Sequence, residues 1–169
     1  ELSEMKNLGK TDQRNWTFEN MKSLAYEMAL IDTNIVANFN IFFVPGYFIK
    51  SGEKQEQVIG LNIAESNIIF IFHDIIESSS SLALKVFMEQ STLVHELGHV
   101  LGFVNNGVPL SSNHQDIENG KHTIDPTCVM YHSNEGLSNM EAFAKKYMET
   151  KNLSMWGDQT LRDAEDFSR

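Results

Sequence analysis

The stretch Thr92–Phe103, which reads TLVHELGHVLGF, constrains this chain more than any other. Its apolar residues Leu93, Val94, Leu97, Val100 and Leu101 form helices well and call for burial, so a buried helix is expected here. A helix turns once per 3.6 residues, so His95 and His99, four apart, share a face and can aim two imidazoles at one metal ion. Glu96, one residue after the first histidine, is placed to hold a water on that ion. A polar triad within an apolar helix is costly unless each member is satisfied. The competing reading is a pair of core histidines with ordinary hydrogen-bond partners.

The spacing is the H-E-x-x-H pattern of zinc hydrolases, and with 6 His in 169 residues roughly 0.02 chance matches are expected. Catalytic zinc commonly takes three protein ligands and leaves one position for water, so a third ligand must come from elsewhere. The candidates are His73, His114, His122, His132 and acids such as Glu118.

At 169 residues the chain fits a single domain, residues 1–169, with a core able to stand without staples, and residues 1–15 are polar and expected to be loose. The formal net charge of −10 argues against a nucleic-acid partner, whose footprint would be basic. The lone cysteine, Cys128, excludes an intramolecular disulfide and leaves the compartment open. The longest apolar run, Asn67–Ile76, is interrupted by Asn, His and Asp and is too short to span a bilayer. The chain starts at Glu1 without a methionine and reads as trimmed, so the lack of a signal peptide says nothing about secretion.

Along the chain, Phe18–Ala29 carries apolar residues at helical spacing. Val36–Tyr47, ending in a Pro45-Gly46 turn, reads as a strand, Lys50–Gln57 as a surface loop, and Val58–Ile63 as a further strand. After a turn at Glu65–Asn67, Ile68–Ile75 is the most strand-like run and is expected at the centre of a sheet. The serines Ser78–Ser81 suit a loop and helix N-cap before a helix from Leu82 to Leu101, which Gly102 is placed to end. Val104–Lys121, with two Asn-Gly turn dipeptides, is expected to be irregular; helices are expected over Asn139–Lys151 and Asp158–Phe167.

HELGHVLG resembles the metzincin clan of zinc peptidases, which carry H-E-x-x-H-x-x-G, a third histidine and a methionine-containing turn. In that clan the third histidine usually falls three residues after the glycine, where this chain has Asn105. The second half of the signature reappears later: His122 precedes Met130 by eight residues, as the third ligand precedes the Met-turn methionine in archaemetzincins and matrix metalloproteinases. Cys128 matches one archaemetzincin cysteine, while Thr123 stands where the other would be. Val104–Lys121 then reads as an insertion, with His122 favoured as third ligand and His114, inside the insertion, as its rival.

The resemblance implies an α+β, metzincin-like zincin fold: a twisted mixed β-sheet, an active-site helix, a Met-turn and a C-terminal helix. It implies a zinc endopeptidase with one catalytic ion on His95, His99 and His122, and a water activated by zinc and deprotonated by Glu96. Met130 would lie beneath the metal, and Tyr131 would help shape the pocket for the residue after the scissile bond. Its partners would be protein or peptide substrates, without nucleic acid or membrane span, and the protein would be a monomer in a secreted, cell-surface or periplasmic setting. Two alternatives stand beside it. One is a non-catalytic zinc-binding module on a peptidase scaffold. The other is a gluzincin or amidase-type hydrolase, with Glu118, Glu135 or Glu141 as third ligand.

Overall fold

A computed structural model describes residues 7, 9–28, 39–64, 66–78, 81–150 and 155–168. It opens with β1 (Asn15–Trp16) and α1 (Phe18–Met28). Thr17 and Asn20 cap α1 reciprocally, each side-chain oxygen accepting from the other's backbone N–H. Met21 and Ala25 turn to the core. Ala29, Val36–Asn38, Glu65, Ser79, Ser80 and Lys151, which complete elements expected from the sequence, lie outside the described residues, as do positions 1–6 and 8 of the expected loose segment.

β2 (Asn40–Val44) and β3 (Tyr47–Lys50) are separated at Pro45-Gly46, and β4 (Glu53–Gln55) folds back on β3. The loop expected over Lys50–Gln57 is therefore a hairpin. Ser51 and Gly52 both adopt left-handed backbone, φ 54° and 82°, as a two-residue hairpin turn requires, and polar strand residues concealed it. β5 (Gly60–Asn62) and β6 (Ile68–Phe72) follow, then α2 (His73–Glu77) and α3 (Leu82–Val100). The strand expected to reach Ile75 stops at Phe72, and Ile75 and Ile76 are buried in α2 instead. A short apolar run cannot by itself distinguish a buried strand from a buried helix. Beyond α3 come β7 (Gln115–Asp116), a 3₁₀ turn (Ile117–Asn119), β8 (His122–Thr123), a second 3₁₀ turn (His132–Glu135), α4 (Leu137–Thr150) and α5 (Asp158–Phe167).

The architecture is α+β. Among the described residues the strands form two small mixed sheets and a separate two-stranded hairpin, β7 with β8, rather than one continuous sheet. In the first, β2 runs parallel to the central β6, and β5 lies antiparallel at the other edge. In the second, β3 lies between β1, parallel, and β4, antiparallel. The chain changes sheets at Pro45-Gly46: proline has no N–H for a ladder, and Gly46, at φ 89°, donates its own to Asp74. The core centres on β6, where Ile69, Phe70, Ile71 and Phe72 are fully buried and Phe70 stacks on Phe42. Among the described residues no helix is long and apolar enough to cross a membrane.

α3 is capped by Ser81, whose side chain accepts from the Leu84 N–H, and packs against β5, β6 and α4. Its buried stripe runs Leu84, Met88, Thr92, His95, His99, so the two histidines continue a hydrophobic face rather than interrupt a solvated one. Close approach is bought with glycine: a Cβ on Gly98 would lie 2.3 Å from Met130 Sδ. Gly98→Ala is therefore expected to destabilise the fold by about 1–3 kcal/mol through overpacking. Chemical denaturation of the variant measures this, and an unchanged midpoint would contradict the tight helix-to-turn contact.

Candidate metal centre

α3 ends where its sequence says it should. Gly102, at φ 87°, donates to the His99 carbonyl and Phe103 to the Gly98 carbonyl, the paired bonds of a Schellman ending. Val104 and Asn105 are left-handed as well, and the chain turns sharply away. Asn105, where a compact metzincin signature would place a histidine, ties the two ends of the insertion: its side chain donates to Gln115 and its carbonyl accepts from Lys121 Nζ.

The insertion returns through the hairpin of β7 and β8, with Asp116 opposite His122. His122 thereby comes to face His95 and His99. The Nε2 atoms form a nearly equilateral triangle: 3.2 Å from His95 to His99, 3.2 Å from His99 to His122 and 3.3 Å from His122 to His95. Tetrahedral coordination at about 2.0–2.1 Å would set nitrogens about 3.3–3.4 Å apart, so the triangle fits one ion. The outer nitrogens agree. His95 Nδ1 meets the Val129 carbonyl at 2.7 Å and His122 Nδ1 the Asn119 carbonyl at 2.7 Å. Protons held there leave the Nε2 lone pairs of neutral rings free to ligate.

The fourth member of the group is Glu135, from the turn after Met130: its carboxylate lies 3.1 Å from His122 Nε2, and all four ligand atoms fall within 4.8 Å of one another. The four residues are close enough together to bind a metal ion. Glu96 sits beside them, 4% exposed, its carboxylate accepting from the Asn62 backbone N–H. Gly60 lets β5 approach: a Cβ there would meet Thr92 Cγ2 at 2.5 Å and Glu96 Cγ at 3.3 Å. Glu96, His99, His122 and Glu135 open onto a cleft of about 670 Å³, walled on one side by Gly60–Asn62.

Burial dominates the electrostatics. It lowers His95 to about 4, helped by the charge of His122, and lowers His99 to about 2, with further contributions from His95 and His122. His122 feels the same burial penalty, yet its bonds to Glu135 and the Asn119 carbonyl prevail and raise it above the usual histidine range. Glu135 moves oppositely, its burial penalty outweighed by the His122 contact. Glu96 is pushed up to about 8 by burial and the nearby Glu135 charge. A cation on the histidines would favour ionised Glu96.

Of the residues the sequence singles out, His95, Glu96, His99 and His122 meet at one place, and Met130 is buried against α3 at Gly98. His114 does not join them. It is fully buried and engaged at both ring nitrogens, Nε2 2.6 Å from Asp163 and Nδ1 3.1 Å from Thr123. Asp163 also accepts two 2.7 Å bonds from Ser111, so the insertion is fastened to α5. His73 opens α2 rather than lying on the central strand, its 48% exposed side chain between Glu77 and Glu89. Tyr131 and His132 pack on each other and are not among the cleft-lining residues; His132 pairs with Asp116. Glu118 is exposed on its 3₁₀ turn, and Glu141 pairs with Lys145 on α4.

Asn134 is not among the residues the sequence singles out, and Glu135 enters there only as a ligand of the alternative hydrolase. Buried Asn134 donates to the Cys128 and Val129 carbonyls and so stiffens the turn that orients His95. Their nearness to Met130 in the chain was the available signal; Asp163, on a charged helix far downstream, offered none.

No family model matches the chain, and neither any curated protein nor any solved structure matches it.

Two outcomes follow for metal binding. After loading with a divalent metal, His122→Ala should lose the ion on gel filtration, while His114→Ala should keep it with a lowered unfolding midpoint; elemental analysis and thermal denaturation separate the two. As pH falls, protons should compete first at His122, whose value is raised, while His95 and His99 stay neutral. Apparent zinc affinity should therefore drop about tenfold per pH unit below the His122 pKa, a one-proton slope. A three-proton slope between pH 6 and 7 in a chelator competition would contradict this.

Proposed function

We propose that the protein is a zinc-dependent peptidase with a metzincin-like active site. The observation that carries the reading is the triangle of His95, His99 and His122 with Glu96 beside it, in a cleft walled on one side by β5. The ligand chemistry favours zinc: three neutral imidazoles at tetrahedral spacing suit a borderline-soft ion that needs no further protein ligand. Bound there, zinc would supply a water acidified to a pKa of about 7 and polarise the scissile carbonyl.

The remaining work falls to the chain itself. Glu96 receives a proton on its carboxylate and passes it to the departing amine, and the Asn62 N–H fixes which way that carboxylate faces. Its burial keeps bulk water from competing for the proton. Among the described residues β5 is an edge strand, and an extended peptide adding beside it would align its scissile bond over α3, meeting an Asn62 N–H already engaged by Glu96. The Met130 turn acts through position: its Val129 carbonyl holds His95 in the ligating tautomer.

One observation favours a second reading. Glu135 stands within ligand reach, and a site closed by a fourth protein ligand would be structural rather than catalytic. Glu96→Gln distinguishes them. On the peptidase reading, this variant retains zinc and loses about 10²–10⁴-fold in kcat on a peptide library. Near wild-type cleavage by the variant, or no chelator-sensitive cleavage by the wild type, would refute that reading.

A further inference from the structure

The cleft is not confined to the metal centre. Its lining also takes in the second sheet, through Phe18 of α1, Phe48 and Lys50 of β3 and Gln55 of β4. Phe48 and Lys50 stand two apart on one strand, and Gln55 lies opposite Phe48 in register, so the three share a face of that sheet. Phe18 packs edge-on against Phe48, with ring centroids 4.9 Å apart. Phe48 is buried and backs onto Phe72, whose N–H donates to the Ile59 carbonyl. The aromatic pair is thereby set against the chain entering β5. Val58, which also lines the cleft, precedes Gly60 by two residues, and Gly60 abuts Glu96. Two extended residues span about 7 Å, so a side chain one or two positions from a bond held at the metal centre reaches the pair.

The chemistry of this wall differs from that of the remaining cleft. Phe18 leaves 42% of its surface open in a concave place, where a large apolar side chain laid on it is shielded from water. Lys50 is exposed and has no ion-pair partner among the described residues. Glu53, opposite Lys50 in the ladder, is exposed, does not line the cleft and does not pair with it. The carboxylates that line the cleft, Glu96 and Glu135, gather at the histidines, and its other lysine, Lys121, is held by the Asn105 carbonyl. The lining around Asn62, Ser66, Asn67 and Asn106 is largely polar and holds no aromatic ring.

We infer that Phe18, Phe48 and Lys50 form a specificity subsite that selects peptides in which a large apolar residue, aromatic above all, lies next to a carboxylate. The inference rests on the peptidase reading and adds to it the substrate class. The carboxylate has two sources: an Asp or Glu side chain, or the α-carboxylate of a peptide C-terminus. An exposed lysine–carboxylate pair is weak, so the apolar contact supplies most of the discrimination and Lys50 adds a smaller, salt-sensitive part.

The test compares metal-loaded wild type, Phe18→Ala, Lys50→Gln and Lys50→Glu on matched peptides. One set carries Phe, Leu or Ala scanned across the cleaved position. The other keeps Phe and carries Glu, Gln or Lys beside it, each with a free or amidated C-terminus, which separates the two carboxylate sources. Mass spectrometry locates cleavage, kcat and KM are measured separately at low and high salt, and calorimetry records peptide binding to each variant in a Glu96→Gln background. Wild type should prefer Phe over Ala by about tenfold or more, and Phe18→Ala should lose that preference, chiefly through KM. Wild type should also prefer a neighbouring carboxylate by about two- to fivefold. That preference should fade with salt, vanish in Lys50→Gln and reverse in Lys50→Glu. Because Lys50 is exposed, its variants report on the subsite even should Phe18→Ala unfold. A Phe preference unchanged in folded Phe18→Ala, no Phe preference at any position, or a carboxylate preference unchanged in Lys50→Glu would each overturn the inference while leaving hydrolysis intact. If no peptide were cleaved, the peptidase reading would fail and calorimetry would decide the subsite. Tighter binding of peptides with Phe beside Glu than with Ala beside Gln, lost in the Lys50→Glu background, would support it, and equal binding would overturn it.

Discussion

Three imidazole nitrogens held 3.2–3.3 Å apart in a buried place form the constraint on which the rest of this structure depends. Three lone pairs converging on one point repel each other, and burial resists adding protons, as the lowered values of His95 and His99 record. A cation at the centre resolves both difficulties at once. Without one, the cluster is a costly way to fill a core that already has Phe70, Phe72 and Ile71 at its disposal.

The surrounding fold reads as the means of keeping those nitrogens in place. Gly60 and Gly98 let a strand and a turn approach α3 more closely than any side chain would allow. The Val129 carbonyl orients His95 and is itself steadied by Asn134. His122 arrives from a long excursion, and the hairpin that carries it is fastened twice: Thr123 donates to the Met130 carbonyl, and His114 pairs with Asp163 on α5. The charged C-terminal helix thus contributes to the position of a ligand it never touches. Glu135 joins the same cluster through its ion pair with His122.

Much of the site was legible in the chain. The i, i+4 histidines, the glycine that ends their helix and the eight-residue step from His122 to Met130 are local signals, and local signals survive without coordinates. The long helices α3 and α5 were legible for the same reason, periodicity over many residues. What escaped depended on distant partners. Asp163 captures His114 from 49 residues away, so a buried structural histidine looked from sequence like a rival ligand. Ile75 and Ile76 joined a short helix because packing, not pattern, decided their conformation. The β4 strand is polar and short, and only the left-handed pair Ser51-Gly52 reveals it.

The central claim is that His95, His99 and His122 together hold one ion. X-ray absorption spectroscopy of the zinc-loaded protein addresses it directly, because imidazole rings give a distinctive outer-shell scattering pattern. The account predicts one zinc per chain with three imidazole nitrogens at about 2.0–2.1 Å. Zinc bound by two imidazoles or fewer, or by a carboxylate in place of His122, would contradict it.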